Sequence, residues 1–175
     1  MTETYVALLR AVNVGGLTVP MARLRELAAD LGWTGLRTHL ASGNLLLEAS
    51  DRPGTVATRL ATALQGEYRR PVPVIVRTPA QLAAALSRAP VAFPGAAPSR
   101  VFLAFLDADP GPGADERLGS FAPDEHVHLG LELALHYPAG QARTRLTTSV
   151  LERRLGVVAT VRGLRTIEGI LAKVG

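Results

Sequence analysis

Apolar and polar positions form two kinds of pattern along the first half of the chain. Apolar runs at residues 5–9, 45–47 and 72–76 predict strands, and 36–40, which begins and ends with leucine, is predicted as a strand that forms a hairpin with 45–47. The apolar positions between the strands recur every three or four residues, which predicts helices. The first helix is predicted from Met21, Leu24, Leu27, Ala28 and Leu31, with Pro20 in its first turn and Gly32 past its end; the second is predicted from Val56, Leu60, Ala63 and Leu64, ending near Gly66. The predicted order is βαββαβ.

Turn and cap residues mark the boundaries of these elements. Ser42, Gly43 and Asn44 predict a hairpin turn, and Pro73 predicts that the strand at 72–76 lies at a sheet edge. Thr78 with Gln81 three residues later is a capping-box pattern that opens a short helix. The stretch 90–99 holds three of the prolines and is the predicted linker.

The second half repeats the same order of elements. Strands are predicted at 101–106, 125–129, 133–137 and 157–161, with helices at 114–121 and 146–155 and a terminal helix from Leu164 to Val174. No repeat is evident residue by residue. We predict an α+β fold of two ferredoxin-like βαββαβ halves with an extra C-terminal helix. The predicted domains are residues 1–90, with a short capping helix, and 91–175.

Composition narrows the class of protein. Hydrophobic residues make up 47% of the 175 residues, enough for a packed core, and the absence of cysteine excludes disulfides, thiolate metal sites and a cysteine nucleophile. No apolar run approaches the roughly 20 residues of a membrane span, and the N-terminus shows no secretory signal, so we expect a cytoplasmic protein. The net charge is +4, but the arginines are scattered and aromatic residues are only 5%, so nucleic acid is not the expected partner.

Two glycine-bearing polar turns carry the candidate site. Antiparallel pairing of the first and third strands is expected to bring the turn after strand one beside the turn before strand three, at the start of the first helix. Helix N-termini and exposed amides favour anions, and an arginine adds a bidentate contact. The predicted ligand-binding residues in these turns are Arg10, Asn13, Gly15, Gly16, Ser42, Gly43 and Asn44.

Each of these residues also has a plain structural interpretation. Two glycines after a strand make a tight turn, and a Ser-Gly-Asn sequence is ordinary hairpin chemistry. A secondary candidate anion site, which competes with plain helix capping, lies at a later strand-to-helix junction and consists of Arg162, Arg165 and Thr166. His126 and His128 alternate on one strand, with His136 across the hairpin, but no carboxylate spacing completes a metal site, and none is predicted.

The same turns resemble an uncharacterised bacterial family, domain of unknown function 1697. That family opens with Leu-Leu-Arg-Gly-(Ile/Val)-Asn-Val-Gly-Gly, a helix begun by Met and a Ser-Gly-Asn hairpin, and this chain matches at 8–16, Met21, Thr38 and 42–44. The resemblance continues through Tyr137, the helix before Gly156, and Thr160, Arg162 and Thr166. It implies a double ferredoxin-like α+β fold and no particular reaction.

This chain departs from the family pattern at several polar positions. Ala11 stands where the family has Gly, Leu17 and Thr18 where Lys-Asn is common, and His39 and Ala41 where an aromatic residue and Gln are usual; Gly163 and Leu164 replace an Asn and an aromatic residue. The expected function is binding of a small anionic or phosphorylated metabolite. The alternative is a nucleic-acid-binding or protein-interaction module without catalytic activity. No reaction or cofactor is assigned, and a monomer or homodimer is expected.

Overall fold

The computed structural model describes all 175 residues, which divide into two compact units: residues 1–82 with 169–175, and residues 83–168. The division falls inside two helices, whereas the sequence predicted domains at 1–90 and 91–175, and those domain limits stay a prediction. Unit 1 begins with β1 (Glu3–Leu9), α1 (Met21–Asp30), β2 (Thr34–Thr38), β3 (Asn44–Ala49), α2 (Pro53–Tyr68) and β4 (Val74–Arg77). The βαββαβ order predicted for this half is confirmed.

The sheet of unit 1 has the order β2-β3-β1-β4, with every neighbouring pair antiparallel. The two central strands are β3 and β1, and β4 is an edge strand, as Pro73 predicts. Alternate residues such as Ala7, Leu45 and Val76 face a core completed by Leu24 of α1 and Leu60 of α2. The helices therefore lie on one face of the sheet, as period-two strands and amphipathic helices require.

Unit 2 repeats this arrangement. α3 (Pro79–Ala92) leads to β5 (Val101–Leu106), α4 (Ala114–Leu118), β6 (Glu125–His128), β7 (Glu132–His136), α5 (Thr148–Leu155), β8 (Ala159–Gly163) and α6 (Leu164–Leu171). The sheet order is β6-β7-β5-β8, and Leu133 and Leu135 pack with Leu118 and Leu151 in its core. The fold is α+β, built from two pseudo-duplicated ferredoxin-like halves, each followed by a helix.

Helix boundaries account for the main errors of the sequence prediction. α2 runs through Gly66 and ends at Tyr68, and the next residue, Arg69, caps it with a left-handed φ of 55°. α3 continues through Pro90, so the predicted linker at 90–99 begins inside a helix. The capping box is confirmed, because the Thr78 amide donates to Gln81 Oε1 (2.8 Å) and the Gln81 amide donates to Thr78 Oγ1 (3.2 Å). No helix is long and apolar enough to cross a membrane.

The strand registers show that the two units are structural repeats, although no repeat is evident in the sequence. In unit 1 Val6 pairs with Arg77 and Leu46, and in unit 2 Leu103 pairs with Arg162 and Ala134. Val6 therefore corresponds to Leu103, and β4 and β8 carry an arginine at the same position. Each sheet has one face that packs on the helices of its core and one face that points the other way. The equivalent positions on this second face are buried in both units: Val6, Leu8, Leu46, Ile75 and Arg77 in unit 1; Leu103, Phe105, Ala134, Thr160 and Arg162 in unit 2.

Candidate functional site

The structure brings the two predicted turns of unit 1 together. Leu8 pairs with Asn44, and the Leu9 amide donates to the Gly43 carbonyl at 2.9 Å, so the chain leaving β1 lies beside the chain entering β3. We call the two turns, residues 10–20 and 39–44, the β1–β3 corner. Arg10, Asn13, Gly15, Gly16, Ser42, Gly43 and Asn44 all lie in it.

Asn13 fixes the first turn through its side-chain amide. Its Nδ2 donates to the carbonyls of Val19 (2.9 Å) and Ala41 (2.6 Å), and its Oδ1 accepts from the Val19 amide (2.8 Å). The bond to Ala41 joins the two turns directly. With these groups engaged inside the protein, Asn13 shapes the loop that a ligand would meet.

Gly43 and Asn44 are buried at the base of the second turn. A Cβ at Gly43 would lie 2.7 Å from Val12 Cγ2 and 2.8 Å from Leu9 Cβ, so the close approach of the two turns requires glycine there. Asn44 Nδ2 donates to the His39 carbonyl (2.7 Å) and to Ser42 Oγ (3.0 Å). Ser42 is half-buried above them.

Left-handed backbone is concentrated in this corner. Four non-glycine residues have positive φ, and three of them, Ala11 (55°), Asn13 (57°) and Leu40 (58°), lie in the two turns. Such conformations cost about 1–2 kcal/mol for residues other than Gly, Asn and Asp. Strain of this kind is typical of functional loops.

Three consecutive exposed residues, Val14, Gly15 and Gly16, form the tip of the first turn. Their amide N–H groups donate to no group of the protein, whereas the Gly16 carbonyl accepts from Arg70 Nη1 at 3.4 Å. Gly15 and Gly16 have φ values of 75° and 130°. Uncommitted successive amides of this kind are the donors that anion-binding loops use.

The Arg70 guanidinium lies against this tip, and Arg10 is near it in the chain. Arg10, half-buried, follows β1, and its amide donates to the Pro73 carbonyl (3.0 Å), which places the segment of Arg70 beside it. α1 begins after Pro20 with no side-chain cap and no acidic residue in its first turn. Its Arg23 is paired with Glu67 and Glu26, and the hydrogen bond from Arg23 lowers the pKa of Glu67. Arg70 was missed by the sequence analysis because it follows α2, far along the chain.

Arg162 and Thr166, the secondary candidates, belong to unit 2. Arg162 lies in β8, and its Nη1 donates to Thr160 Oγ1 (2.7 Å) and to the Val161 carbonyl (3.0 Å). Burial lowers the pKa of Arg162 to about 10, which leaves the guanidinium charged at neutral pH. Thr166 is half-buried in the first turn of α6.

The three histidines of unit 2 do not share one face of the sheet. His126 pairs with Leu135 and His128 with Leu133, so both point toward the core side, whereas His136 pairs with Glu125 on the opposite face. His136 does lie in the strand across the hairpin from His126 and His128, as expected. The alternation of β7, however, separates its ring from the other two.

Fold and corner together define an α+β protein with two ferredoxin-like halves and a strained, cationic turn after the first strand. The chain belongs to the family described as "Protein of unknown function (DUF1697)", whose model matches residues 1–132. Among solved structures, it is similar to the conserved bacterial protein SP0830 from Streptococcus pneumoniae, with a TM-score of 0.75, 19% identity and 100% of both chains covered. No curated protein matches the chain. The structural likeness shows the fold.

Proposed function

We propose that the β1–β3 corner binds a small anionic ligand, of the class of phosphorylated or carboxylate metabolites. The observation that carries the proposal is the row of three exposed amides at Val14, Gly15 and Gly16, which donate to nothing in the protein and lie beside the Arg70 guanidinium. An anion that accepts from such amides gains charge-assisted hydrogen bonds, each worth about 1.5–3 kcal/mol.

The residues of the corner divide into two roles in this proposal. Arg10, Arg70, the amides of residues 14–16 and the Ser42 hydroxyl contact the ligand. Asn13, Gly43 and Asn44 hold the two turns in place, because their polar groups or their backbones are committed within the protein. The junction between β8 and α6 in unit 2, with Arg162 and Thr166, is a separate proposed anion site, on which the corner does not depend.

A thermal-shift titration tests the corner. We expect inorganic phosphate, sugar phosphates or nucleotides to raise the melting temperature, with the shift reduced in Arg10→Gln and in Arg70→Gln. Arg143→Gln, which removes an exposed arginine of unit 2, is the matched control and should retain the full shift. If none of these anions raises the melting temperature, or if both corner variants respond like the control, the corner does not bind anions.

Binding of another protein is the second candidate function, and exposed apolar side chains in the corner favour it. Val14 and Leu40, one from each turn of the corner, are 69% and 57% exposed. If this face binds another protein, Leu40→Ser should abolish that binding while leaving anion binding intact, because Leu40 takes no part in the proposed anion contacts. Nucleic-acid binding has less support, because both faces of the central strands β1 and β3 are buried and base stacking on a sheet needs an open face.

A further inference from the structure

Unit 2 contains a cavity of about 410 Å³ on the sheet face opposite its core. Its walls include Phe93 after the end of α3, Arg100 before β5, Glu125 in β6 and His136 in β7. The volume lies within the range of small-molecule sites. The cavity is distinct from the β1–β3 corner, since all of its residues belong to unit 2.

The strand register sets the polar groups of this cavity in a row. His136 pairs with Glu125 on one side and with Val101 on the other, so these three residues share one face of three adjacent strands. Arg100 precedes Val101 at the end of the row. Because strands lie about 4.8 Å apart, the acidic and basic ends of the row are separated by about 10 Å at the backbone.

His136 lies between the two charges with its hydrogen-bonding capacity unused. Its ring lies against Phe93, with centroids 5.5 Å apart. Its Nδ1 is buried without a hydrogen-bond partner, at 3.7 Å from Glu125 Oε1, and its Nε2 makes no hydrogen bond within the protein. Buried polar atoms in proteins are normally satisfied, so a partner supplied from outside fits this ring.

We propose that this cavity binds a small zwitterion, a free amino acid or a short peptide, with its carboxylate on Arg100 and its ammonium on Glu125. The opposite charges of the two ends argue for this class. A simple anion would meet the Glu125 carboxylate, and a simple cation would meet the Arg100 guanidinium. His136 donates or accepts at the middle of the ligand, and Phe93 provides the apolar wall.

Histidine-ring NMR of the full chain tests the proposal. We expect at least one member of a panel of amino acids and dipeptides, at about 10 mM, to shift the His136 ring signals, which are assigned with His136→Gln. Arg100→Gln and Glu125→Gln should each raise the dissociation constant of that ligand at least about tenfold, which is the effect of losing one charge-assisted hydrogen bond. Arg143→Gln should leave the affinity unchanged.

Modified ligands and a substitution in the cavity wall provide two further tests. The N-acetylated and the carboxyl-amidated forms of the same ligand should bind more weakly than the zwitterion, and Ala97→Trp, at an exposed position of the cavity wall, should block binding without unfolding the protein. The proposal is overturned if no zwitterion shifts His136, if the acetylated form binds equally well, or if Glu125→Gln has no effect. None of these results bears on anion binding at the corner.

Discussion

At the residue scale, one asparagine joins the two turns of the corner. Asn13 has the left-handed backbone that Asn and Asp tolerate best, and its carboxamide bonds Val19 and Ala41 at once. The same side chain was a candidate ligand contact on sequence alone. Its hydrogen bonds within the protein hold the loop whose tip carries the exposed amides, and its contact with a ligand stays a prediction.

Asn13→Asp isolates this role, because Asp keeps the backbone preference and loses both donated hydrogen bonds. We expect the free energy of unfolding, measured by urea denaturation, to fall by about 2–4 kcal/mol as two carbonyls lose their donor. Gln141→Glu, the same amide-to-acid change at an exposed site, should stay within about 0.5 kcal/mol of the parent. Equal losses in both variants would contradict this account.

Gly43 supplies a close approach as well as a left-handed backbone. Gly43→Ala would place a Cβ against Val12 and Leu9, whereas Gly15→Ala, at a similar φ, would meet nothing within 4 Å. We expect Gly15→Ala to lower the free energy of unfolding by about 1–2 kcal/mol and Gly43→Ala to lower it by about 1–3 kcal/mol more. Urea denaturation of the pair measures the difference. Identical values would mean that the packing of the two turns is loose.

At the element scale, the end of α6 packs on the edge strand β2. Lys173 Nζ donates to the Thr38 carbonyl (2.9 Å), and Arg37 Nη1 donates to the Lys173 carbonyl (2.5 Å). Gly169 lies so close to His39 that a Cβ there would clash with the imidazole. Residues 169–175 are thereby part of unit 1.

This contact predicts a dependence of stability on pH. Burial first, and then the charge of Lys173, lower the pKa of His39 below its ordinary 6.5. Between the lowered pKa and 6.5 the unfolded chain binds more protons than the folded one, so the free energy of unfolding falls as the pH drops through this interval. We expect the protection factors for hydrogen exchange at residues 169–175, which are corrected for the intrinsic pH dependence of amide exchange, to fall as the pH drops through the same interval.

His39→Gln is the control for this effect, since it removes the titrating ring and keeps a polar side chain. The variant should show a flatter pH profile of these protection factors at 169–175. An unchanged slope would assign the pH dependence to another group. Gly169→Ala in the His39→Gln background should also be less destabilising than in the parent, because the clash is with the imidazole.

At the scale of the whole molecule, the two units share a register, although their sequences do not reveal it. Ile75 in unit 1 and Thr160 in unit 2 occupy equivalent buried positions, opposite Leu8 and Phe105. The Thr160 hydroxyl accepts from the buried Arg162 guanidinium. The same backbone position is thus apolar in one unit and a polar partner in the other.

Thr160→Val and Ile75→Val make a matched pair at these positions. We expect Thr160→Val to lower the free energy of unfolding by about 1.5–3 kcal/mol, because a charged donor loses an acceptor, and Ile75→Val to lower it by about 0.5–1.5 kcal/mol through one lost methyl group. Chemical denaturation measures both. A smaller loss for Thr160→Val than for Ile75→Val would show that the hydroxyl contributes little to Arg162.

Sequence patterns predicted most elements because each one depends on local forces. β5 matches the predicted 101–106, and the capping box of Thr78 and Gln81 forms as expected. The failures are at Gly66 and Pro90, where a residue that usually ends a helix lies inside one. There the packing of the surrounding helix outweighs the local preference, and that packing is invisible to propensity alone.

By itself, the sequence determined the order of elements, the fold class and the pairing that brings two distant turns to one corner, because hydrophobic periodicity and antiparallel pairing are enough for these. Tertiary structure decided what the polar groups of those turns do: Asn13 and Asn44 are used inside the protein, while three backbone amides remain open. It also brought Arg70 to the corner and set Arg100, Glu125 and His136 around one cavity. The reason is physical, since a side chain's partners depend on residues far away in the chain that only the packed molecule places beside it.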